Sequence, residues 1–231
     1  MTKFTTLIAA GASVAALATA APAFAQVAGI ATASPEIVLA RSTARNTGYQ
    51  QIGKTYDAQI KQIGTIRQEI ATLQKSLDTN NDNQLSEAEV QAKPTVVTQI
   101  QQKEQQINTL AMPITVAQAY VLDQVAREYD NARQQVVAAK KIQIMLSPDA
   151  IQWAPPAVDV TNDMVAALNT RKPTVTTAVP TGWQPSREIM QLHQSIQQIL
   201  VAAAQQQAAA AQQAQSKAAQ PAQQAPKPAG R

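Results

Sequence analysis

Two long runs of the chain carry apolar side chains at every third or fourth position. The first run contains Tyr49, Ile52, Tyr56, Ile60, Ile63, Ile66, Ile70, Leu73 and Leu77. The second run contains Val97, Ile100, Ile107, Leu110, Ile114, Ala117, Val121, Val125, Tyr129, Ala132 and Val136. This spacing places a narrow apolar stripe along one face of a helix. Two such helices, joined by a short loop at 78–89, predict a long antiparallel helical hairpin with the loop at its tip.

The ends of the two helices follow from their prolines. We expect helix one over 35–77 and helix two over 94–141, because proline is tolerated in a first helical turn. At about 1.5 Å per residue, the first helix would make an arm about 60 Å long. Gly53 and Gly64 are either soft points or places where another backbone comes close. Pro113 should kink or interrupt helix two, because its ring removes a ladder hydrogen bond.

Short apolar segments on both sides of the hairpin predict a small sheet. One strand is expected at 27–33, a second at 142–146 and a third at 150–153, with a turn between the last two. Asp159 or Thr161 then caps a short helix. Two or three strands alone are only marginally stable, so we expect an oligomer in which several chains pool their strands at this base. The predicted fold class is α+β and mainly helical.

The two ends of the chain lie outside this body, which spans 26–170. Residues 1–25 have a basic start, an apolar centre and small residues before Ala25, the pattern of a secretory signal peptide cleaved after Ala25. Export to the periplasm follows. Residues 171–204 predict a linker and a C-terminal helix capped by Ser186, with Trp183 anchoring the linker and His193 as a packing or surface residue. Residues 205–231 are rich in Ala, Gln and Pro and predict a disordered tail.

Composition narrows the function classes. There is no cysteine, which excludes disulfides, thiol catalysis and cysteine metal sites, and there is one histidine. No Ser/His/Asp grouping or phosphate-binding loop is found, so neither an enzyme nor a nucleotide-driven cycle is expected. The formal net charge is +4, or 4 − 1 = +3 once Lys3 is removed with the signal peptide. Such a chain attracts acidic surfaces, lipid head groups or unfolded acidic chains, although simple solubility explains the excess equally well.

The loop at 78–89 has the ligand spacing of an EF-hand calcium site. A hard cation requires oxygen ligands at positions 1, 3, 5, 7, 9 and 12 of such a loop. These positions hold Asp78, Asn80, Asp82, Gln84, Ser86 and Glu89. Gln84 would use its backbone carbonyl, Ser86 a bridging water and Glu89 both carboxylate oxygens. Position 6, normally glycine, is Asn83, which tolerates a positive φ. We expect weak calcium binding, at about 10⁻⁴–10⁻³ M; magnesium, or a polar turn without metal, remains an alternative.

Six basic side chains on the hairpin are candidates for attracting a binding partner. They are Lys54, Lys61, Arg67, Lys75, Lys93 and Lys103. The alternative for each is an ordinary solvated helix face. Because basic and acidic residues are interleaved along an exported chain, nucleic acid is not an expected partner.

The order of these segments resembles the OmpH/Skp family of periplasmic chaperones. The resemblance covers about residues 27–170 and is carried by AGIATAS, the helical hairpin, KKIQIMLSPDAIQWA and VDVTNDMVAALN. It implies a homotrimer in which strands of three chains form a barrel and three hairpins project as arms around a cavity. It also implies that unfolded outer-membrane proteins are held between the arms, without catalytic residues. The tip loop and the C-terminal extension depart from the family pattern.

Two functions therefore stand beside each other. The first is an ATP-independent holdase for unfolded outer-membrane proteins. The second is a structural or adaptor protein of the cell envelope that binds one folded partner. Suppression of the aggregation of several unfolded barrel proteins distinguishes the first from the second.

Overall fold

The chain is mainly helical, with one two-stranded parallel sheet, in a computed structural model that describes residues 29–80 and 82–218. The elements in order are β1 Ile30–Thr32, α1 Pro35–Arg41, α2 Thr43–Thr55, α3 Asp57–Leu77, α4 Glu87–Ala92, α5 Pro94–Ala126, α6 Tyr129–Lys140, β2 Ile144–Leu146, α7 Thr161–Arg171 and α8 Arg187–Ala218. Short 3₁₀ turns cover Pro148–Ala150 and Pro156–Val158. The predicted signal peptide and the end of the predicted tail lie outside the described residues.

The first predicted helix is divided into three. Ser42, fully buried, separates α1 from α2 and caps α2, since its Oγ accepts a hydrogen bond from the Arg45 N–H at 3.5 Å. Tyr56 separates α2 from α3 with φ −107° and ψ 21°. Gly53 and Gly64 have open space where a Cβ would lie. They therefore do not mark a close backbone approach, which was one of the two predicted alternatives.

The second predicted helix is interrupted at a different residue from the one expected. α5 continues through Pro113 as far as Ala126, and the break lies at Arg127 and Glu128, before α6. The predicted interruption at Pro113 is therefore wrong, whereas the other alternative, a kink at Pro113, stays a prediction. Pro113 is exposed on the helix surface, so the ring occupies space on the solvent side. α6 ends where expected, at Lys140, and its C-cap Lys141 has a φ of 54°, in the left-handed region.

The sheet pairs β1 with β2 in parallel, in the register Ile30 with Ile144 and Thr32 with Leu146. The third predicted strand, at 150–153, is wrong. A 3₁₀ turn that begins at Pro148 ends at Ala150, the first residue of the expected strand. The further contact with β1 is made later in the chain, where a parallel bridge joins Thr32 to Asp159. Proline has no N–H to give to a ladder, and this segment is bordered by Pro148 and Pro155. The N-cap of α7 is Val160, with no side-chain cap hydrogen bond, so the prediction that Asp159 or Thr161 caps this helix is wrong. Asp159 Oδ1 does accept a hydrogen bond from the Thr161 N–H at 2.8 Å, just before the helix.

The main core lies around the sheet. It joins buried side chains of α1, the end of α5, α6, α7 and α8, among them Val38, Leu122, Met164, Leu168 and Ile196, each 0% exposed. We refer to this region, comprising the sheet, α1, the end of α5, α6, α7 and the start of α8, as the base. A smaller cluster of Ile52, Ala117 and Val121 continues it along α2 and α5.

Beyond the base, α2 and α3 lie along α5. Ile52 packs with Ala117 and Val121, Glu69 pairs with Lys103, and Lys93 Nζ donates to the Ser76 carbonyl. The paired positions therefore run in opposite order along the two segments. Within α3, the buried side chains are Ile63, Ile66, Ile70 and Leu77.

The C-terminal third is helical for longer than expected. α8 continues to Ala218, so the part of the predicted tail up to that residue is helix. Its preceding linker is fastened as predicted, with the Trp183 ring edge-on to Tyr120 at 4.9 Å between ring centroids. The linker is also held by Gln124, whose side-chain amide bonds both the carbonyl and the N–H of Thr176. In the part of the chain that the structure describes, no helix has the length and apolar character needed to cross a bilayer.

Candidate functional site: the tip loop and the surface of α2, α3 and α5

The loop between α3 and α4 is organised around the carboxylate of Glu89, which is 8% exposed. Oε1 accepts from the Thr79 N–H at 2.7 Å, the Thr79 hydroxyl at 2.8 Å and the Asn80 N–H at 3.3 Å. Oε2 accepts from the Ser86 N–H at 3.0 Å and the Ser86 hydroxyl at 2.8 Å. Ser86 Oγ accepts in return from the Glu89 N–H, completing a capping box for α4. One carboxylate thus ties the beginning of the loop to its end.

This set of donors strongly favours the charged form of Glu89. The hydrogen bonds from Ser86, first from its N–H and then from its hydroxyl, and those from Thr79 lower the pKa of Glu89 to about 2. The carboxylate therefore stays ionised at any pH at which the protein would work. Since the ordinary value is 4.5, the contribution of Glu89 to loop stability is complete above that pH and is lost as the pH falls towards 2.

The remaining polar residues of the loop bond to one another. Asp82 Oδ1 accepts from the Gln84 N–H at 2.7 Å, and Asn80 Oδ1 accepts from the Asp82 N–H at 2.9 Å. Asp78 Oδ2 accepts from the Asn83 N–H at 2.9 Å, whereas Asp78 Oδ1 is buried and has no hydrogen-bond partner among residues 29–80 and 82–218. Asn83 has φ 61°, the positive value expected at the sixth position of the loop.

The loop fits the calcium prediction in its backbone but not in the direction of its last ligand. Asn83 has the required conformation, and the orphaned Asp78 Oδ1 is an oxygen with free lone pairs. Glu89, however, directs both oxygens to loop donors. Among residues 29–80 and 82–218, no group of three or more acidic, His or Cys side chains is arranged to hold a metal. A bound calcium ion would therefore have to replace hydrogen bonds of Glu89, and the ligand set stays a prediction.

The six basic candidates fall into two groups. Lys61 pairs with Asp57 at 2.8 Å, Lys103 pairs with Glu69, and Lys93 donates to the Ser76 carbonyl. Lys54, Arg67 and Lys75 are exposed, and within the described chain they form no ion pair. The last three keep their full charge available to a partner.

The cleft between α3 and α5 is polar. It has a volume of about 510 Å³ and is lined by Glu69, Thr72, Leu73, Gln99, Gln102, Lys103 and Gln106. Exposed large apolar side chains occur on the arm helices, at Ile60 and Met112, and in β2 at the base, where Ile144 is 52% and Leu146 is 37% exposed. Ile144 and Leu146 were not predicted to be functional from the sequence. The spacing of Ile142, Ile144 and Leu146 at every second position had nevertheless predicted a strand with an apolar face that another surface would cover.

The chain is similar to known proteins over most of its body. The family model described as outer membrane protein (OmpH-like) matches residues 29–168. A crystal structure from Caulobacter crescentus CB15, of a protein described as an OmpH-like outer membrane chaperone, aligns with 65% of this chain and 89% of its own length. The two sequences are 23% identical and the TM-score is 0.41. No curated protein matches the chain.

Proposed function

Because the chain belongs to the OmpH-like outer membrane protein family, we propose that it is an ATP-independent holdase chaperone of the periplasm. Its clients would be unfolded outer-membrane proteins, and it would carry out no enzymatic reaction. The observation that supports this most directly is the family match over 29–168, which includes α2, α3, α5 and both strands. Export with removal of residues 1–25 is part of the proposal, and the mature chain would begin at Gln26.

In this proposal, α2, α3 and α5 form an antiparallel hairpin arm. The opposite order of the pairs Ile52 with Ala117, Glu69 with Lys103 and Ser76 with Lys93 supports it. Along the arm, the pair of Ile52 with Ala117 lies next to the base, and the pair of Ser76 with Lys93 lies next to the loop at 78–89. The tip loop therefore lies at the end of the arm that is far from the base. The cleft along the arm is polar, so a client would be held by many weak contacts, with long-range attraction from Lys54, Arg67 and Lys75.

The base would assemble the protein into a homotrimer with a shared β-barrel. β2 pairs with β1 on one side, and among the described residues no strand pairs with its other side. Ile144 and Leu146 of this strand are more than one-third exposed. An unpaired strand with exposed apolar side chains is a surface that proteins normally cover, and a strand of a second copy would cover it.

The holdase proposal is tested by diluting a urea-unfolded outer-membrane barrel protein into buffer with and without the mature chain, while light scattering is followed. We expect scattering to be suppressed at about one trimer per client. A variant with Lys54, Arg67 and Lys75 changed to Gln should suppress less for acidic clients and lose its sensitivity to salt. The matched control changes Arg133, Lys140 and Lys172, which lie at the base, to Gln, and it should act like the wild type.

Failure to suppress aggregation of any client, by a protein shown to be folded and oligomeric, would contradict the holdase proposal. Binding of one folded envelope protein in its place would support the adaptor function. Sedimentation of the mature chain at several concentrations measures the oligomeric state independently of either outcome.

We also propose that calcium orders the tip loop. The ligands would be side-chain oxygens of Asp78, Asn80, Asp82 and Glu89, the Gln84 carbonyl, and Ser86 through a water molecule. The positive φ of Asn83 and the unpartnered Asp78 Oδ1 support this set. When bound, the ion would neutralise the loop carboxylates.

The calcium proposal predicts that added calcium raises the melting temperature of the wild type and that Glu89→Gln abolishes this shift. Because Glu89 also clamps the loop without metal, Asp78→Asn is a second variant, since it leaves the bonds of Glu89 to Thr79 and Ser86 in place. It too should lose the calcium response. Equal shifts in the wild type and both variants would contradict the site, and titration with magnesium distinguishes the two cations.

A further inference from the structure

α8 is fastened to the base by few side chains. Among its side chains that the structure describes, up to Gln215, the buried ones are Ile196, at 0% exposed, and His193, at 9%. Leu192 is partly buried against the same core. Only a few residues further on, Leu200 and Val201 are 40% and 55% exposed. The packing of this helix of 32 residues against the base therefore depends on about one and a half helical turns, and His193 lies within them.

His193 lies beside Tyr49 of α2, whose ring also contacts the buried positive charge of Arg45. Its ring lies 6.4 Å from the Tyr49 ring between centroids, and the Arg45 guanidinium is stacked over Tyr49 at 4.1 Å from the ring centre. Arg45 is 4% exposed and donates to the Ala40 carbonyl at 3.2 Å and Asn46 Oδ1 at 3.1 Å. His193 Nε2, Tyr49 Oη and Arg45 Nε are buried, and none of them has a hydrogen-bond partner within the described chain.

No carboxylate balances this cluster. Within residues 29–80 and 82–218, Arg45 forms no ion pair. The acidic groups on the helices around α8 are engaged elsewhere: Glu36 of α1 with Ser34, Asp123 of α5 with Arg127, Asp130 of α6 with Arg133, and Glu188 of α8 with Ser186. The basic residues at the end of α1 and at the start of α8 are Arg41 and Arg187, so neither balances the charge of Arg45. A buried charge without a partner carries a desolvation cost, and a second charge of the same sign beside it adds to that cost.

We propose that His193 makes the seating of α8 sensitive to acid. With a neutral imidazole the helix stays docked on the base; a proton on the imidazole would place a second buried positive charge beside Arg45, and the helix is released. Release would uncover the apolar faces of both α8 and the base, centred on Ile196. This inference concerns the chain alone and does not depend on chaperone activity.

The direction of the effect follows from the linkage between protonation and docking. Burial, and then the charge of Arg45, lower the pKa of His193 below its ordinary 6.5. The released helix therefore binds a proton more readily than the docked helix. Docking of α8 is therefore fully stable above the ordinary pKa of histidine and weakens as the pH falls through it. In the range where only the released form is protonated, the docking equilibrium constant falls by up to about tenfold for each pH unit.

The experiment uses the single histidine of the chain. The imidazole of the full mature protein is titrated by NMR in buffer and in concentrated urea, and backbone hydrogen exchange of residues 189–200 is measured between about pH 5.5 and about pH 7.5, a range in which histidine is the side chain that normally changes charge. We expect a lower pKa in buffer than in urea. We also expect exchange in this segment, corrected for its intrinsic pH dependence, to increase as the pH falls, while exchange in α7 does not.

Two variants isolate the buried imidazole. His193→Gln should make exchange in 189–200 independent of pH. Adding Gln194→His to that variant returns a histidine to an exposed position of the same helix and should leave the exchange independent of pH. The inference is overturned if His193 titrates identically in buffer and in urea, or if His193→Gln retains the acid response. Because the NMR titration uses the wild type, a variant that fails to fold does not prevent a decision.

Discussion

The base and the proposed arm use the same apolar residue types at very different depths. In the base, Val38, Leu122 and Met164 are completely buried by several elements at once. Along α3, Ile63, Ile66 and Ile70 retain 6% to 9% exposure, and the facing side chains of α5, from Val97 to Leu110, are at most half-buried. The apolar stripe between α3 and α5 is one residue wide, and in the described chain no third helix or strand packs over it to exclude water.

This difference separates the part of the chain that determines the fold from the part that would meet clients. Helices are stabilised mainly by packing of their apolar face, so the base can hold its shape while the far part of α3 and α5 remains easy to deform. Regions with few buried apolar contacts are also the ones that open locally at the lowest free energy. A holdase benefits from this arrangement, because arms that open and bend can adapt to clients of different shape.

The comparison is tested most strongly on one helix. Leu122 and Leu110 both lie in α5. Leu122 is in the base, and Leu110 is in the part of α5 that runs along the arm. Leu122→Ala should lower the free energy of unfolding by about 2–5 kcal/mol, because it empties a fully enclosed site. Leu110→Ala should cost about 1 kcal/mol, because its site is already half open to solvent. Urea denaturation at fixed protein concentration measures both, and equal losses would show that the arm is packed as tightly as the base.

The parts predicted correctly from the sequence are those in which one local pattern dominates. The striped runs became α2, α3, α5 and α6, and the apolar alternation at 142–146 became β2. The breaks were misplaced because apolar spacing continues across them. Tyr56 lies inside the first stripe and Arg127 and Glu128 lie inside the second, where neither glycine nor proline marks the break. Ser42 precedes the first stripe and carries no such mark either.

Glu89 shows why the candidate site was harder to predict than the fold. The segment Ser86–Glu87–Ala88–Glu89 is both the end of an EF-hand loop and a capping box, and the same carboxylate serves either role. The structure shows the capping box. The cluster of Arg45, Tyr49 and His193 carried no sequence signal at all, because its members come from α2 and α8, separated by more than a hundred residues. Similarly, α8 outlasts its apolar stripe because Ala and Gln favour helix even without a core to pack against.

The comparison is sharpened by two glycines of the arm, Gly48 in α2, where the arm meets the base, and Gly64 in α3, farther from it. A Cβ on Gly48 would lie 2.9 Å from Val175 Cγ2 and 3.0 Å from Val121 Cγ1, whereas one on Gly64 would meet nothing within 4 Å. Valine has little rotamer freedom with which to yield, so Gly48→Ala should destabilise the protein by about 1–3 kcal/mol through overpacking. Gly64→Ala should stabilise it by about 0.4–1 kcal/mol, because alanine removes backbone freedom from the unfolded chain and fits a helix.

Thermal unfolding of the two glycine variants, beside the wild type at one concentration, gives the sign of each change. Opposite signs are the expected result. Stabilisation by Gly48→Ala would mean that the linker carrying Val175 moves away from α2 and α5 at little cost. The linker would then not be tightly packed against these two helices. Destabilisation by Gly64→Ala would mean that another surface, such as a second copy of the chain, approaches α3 at this position, and the arm would then not be free along its length.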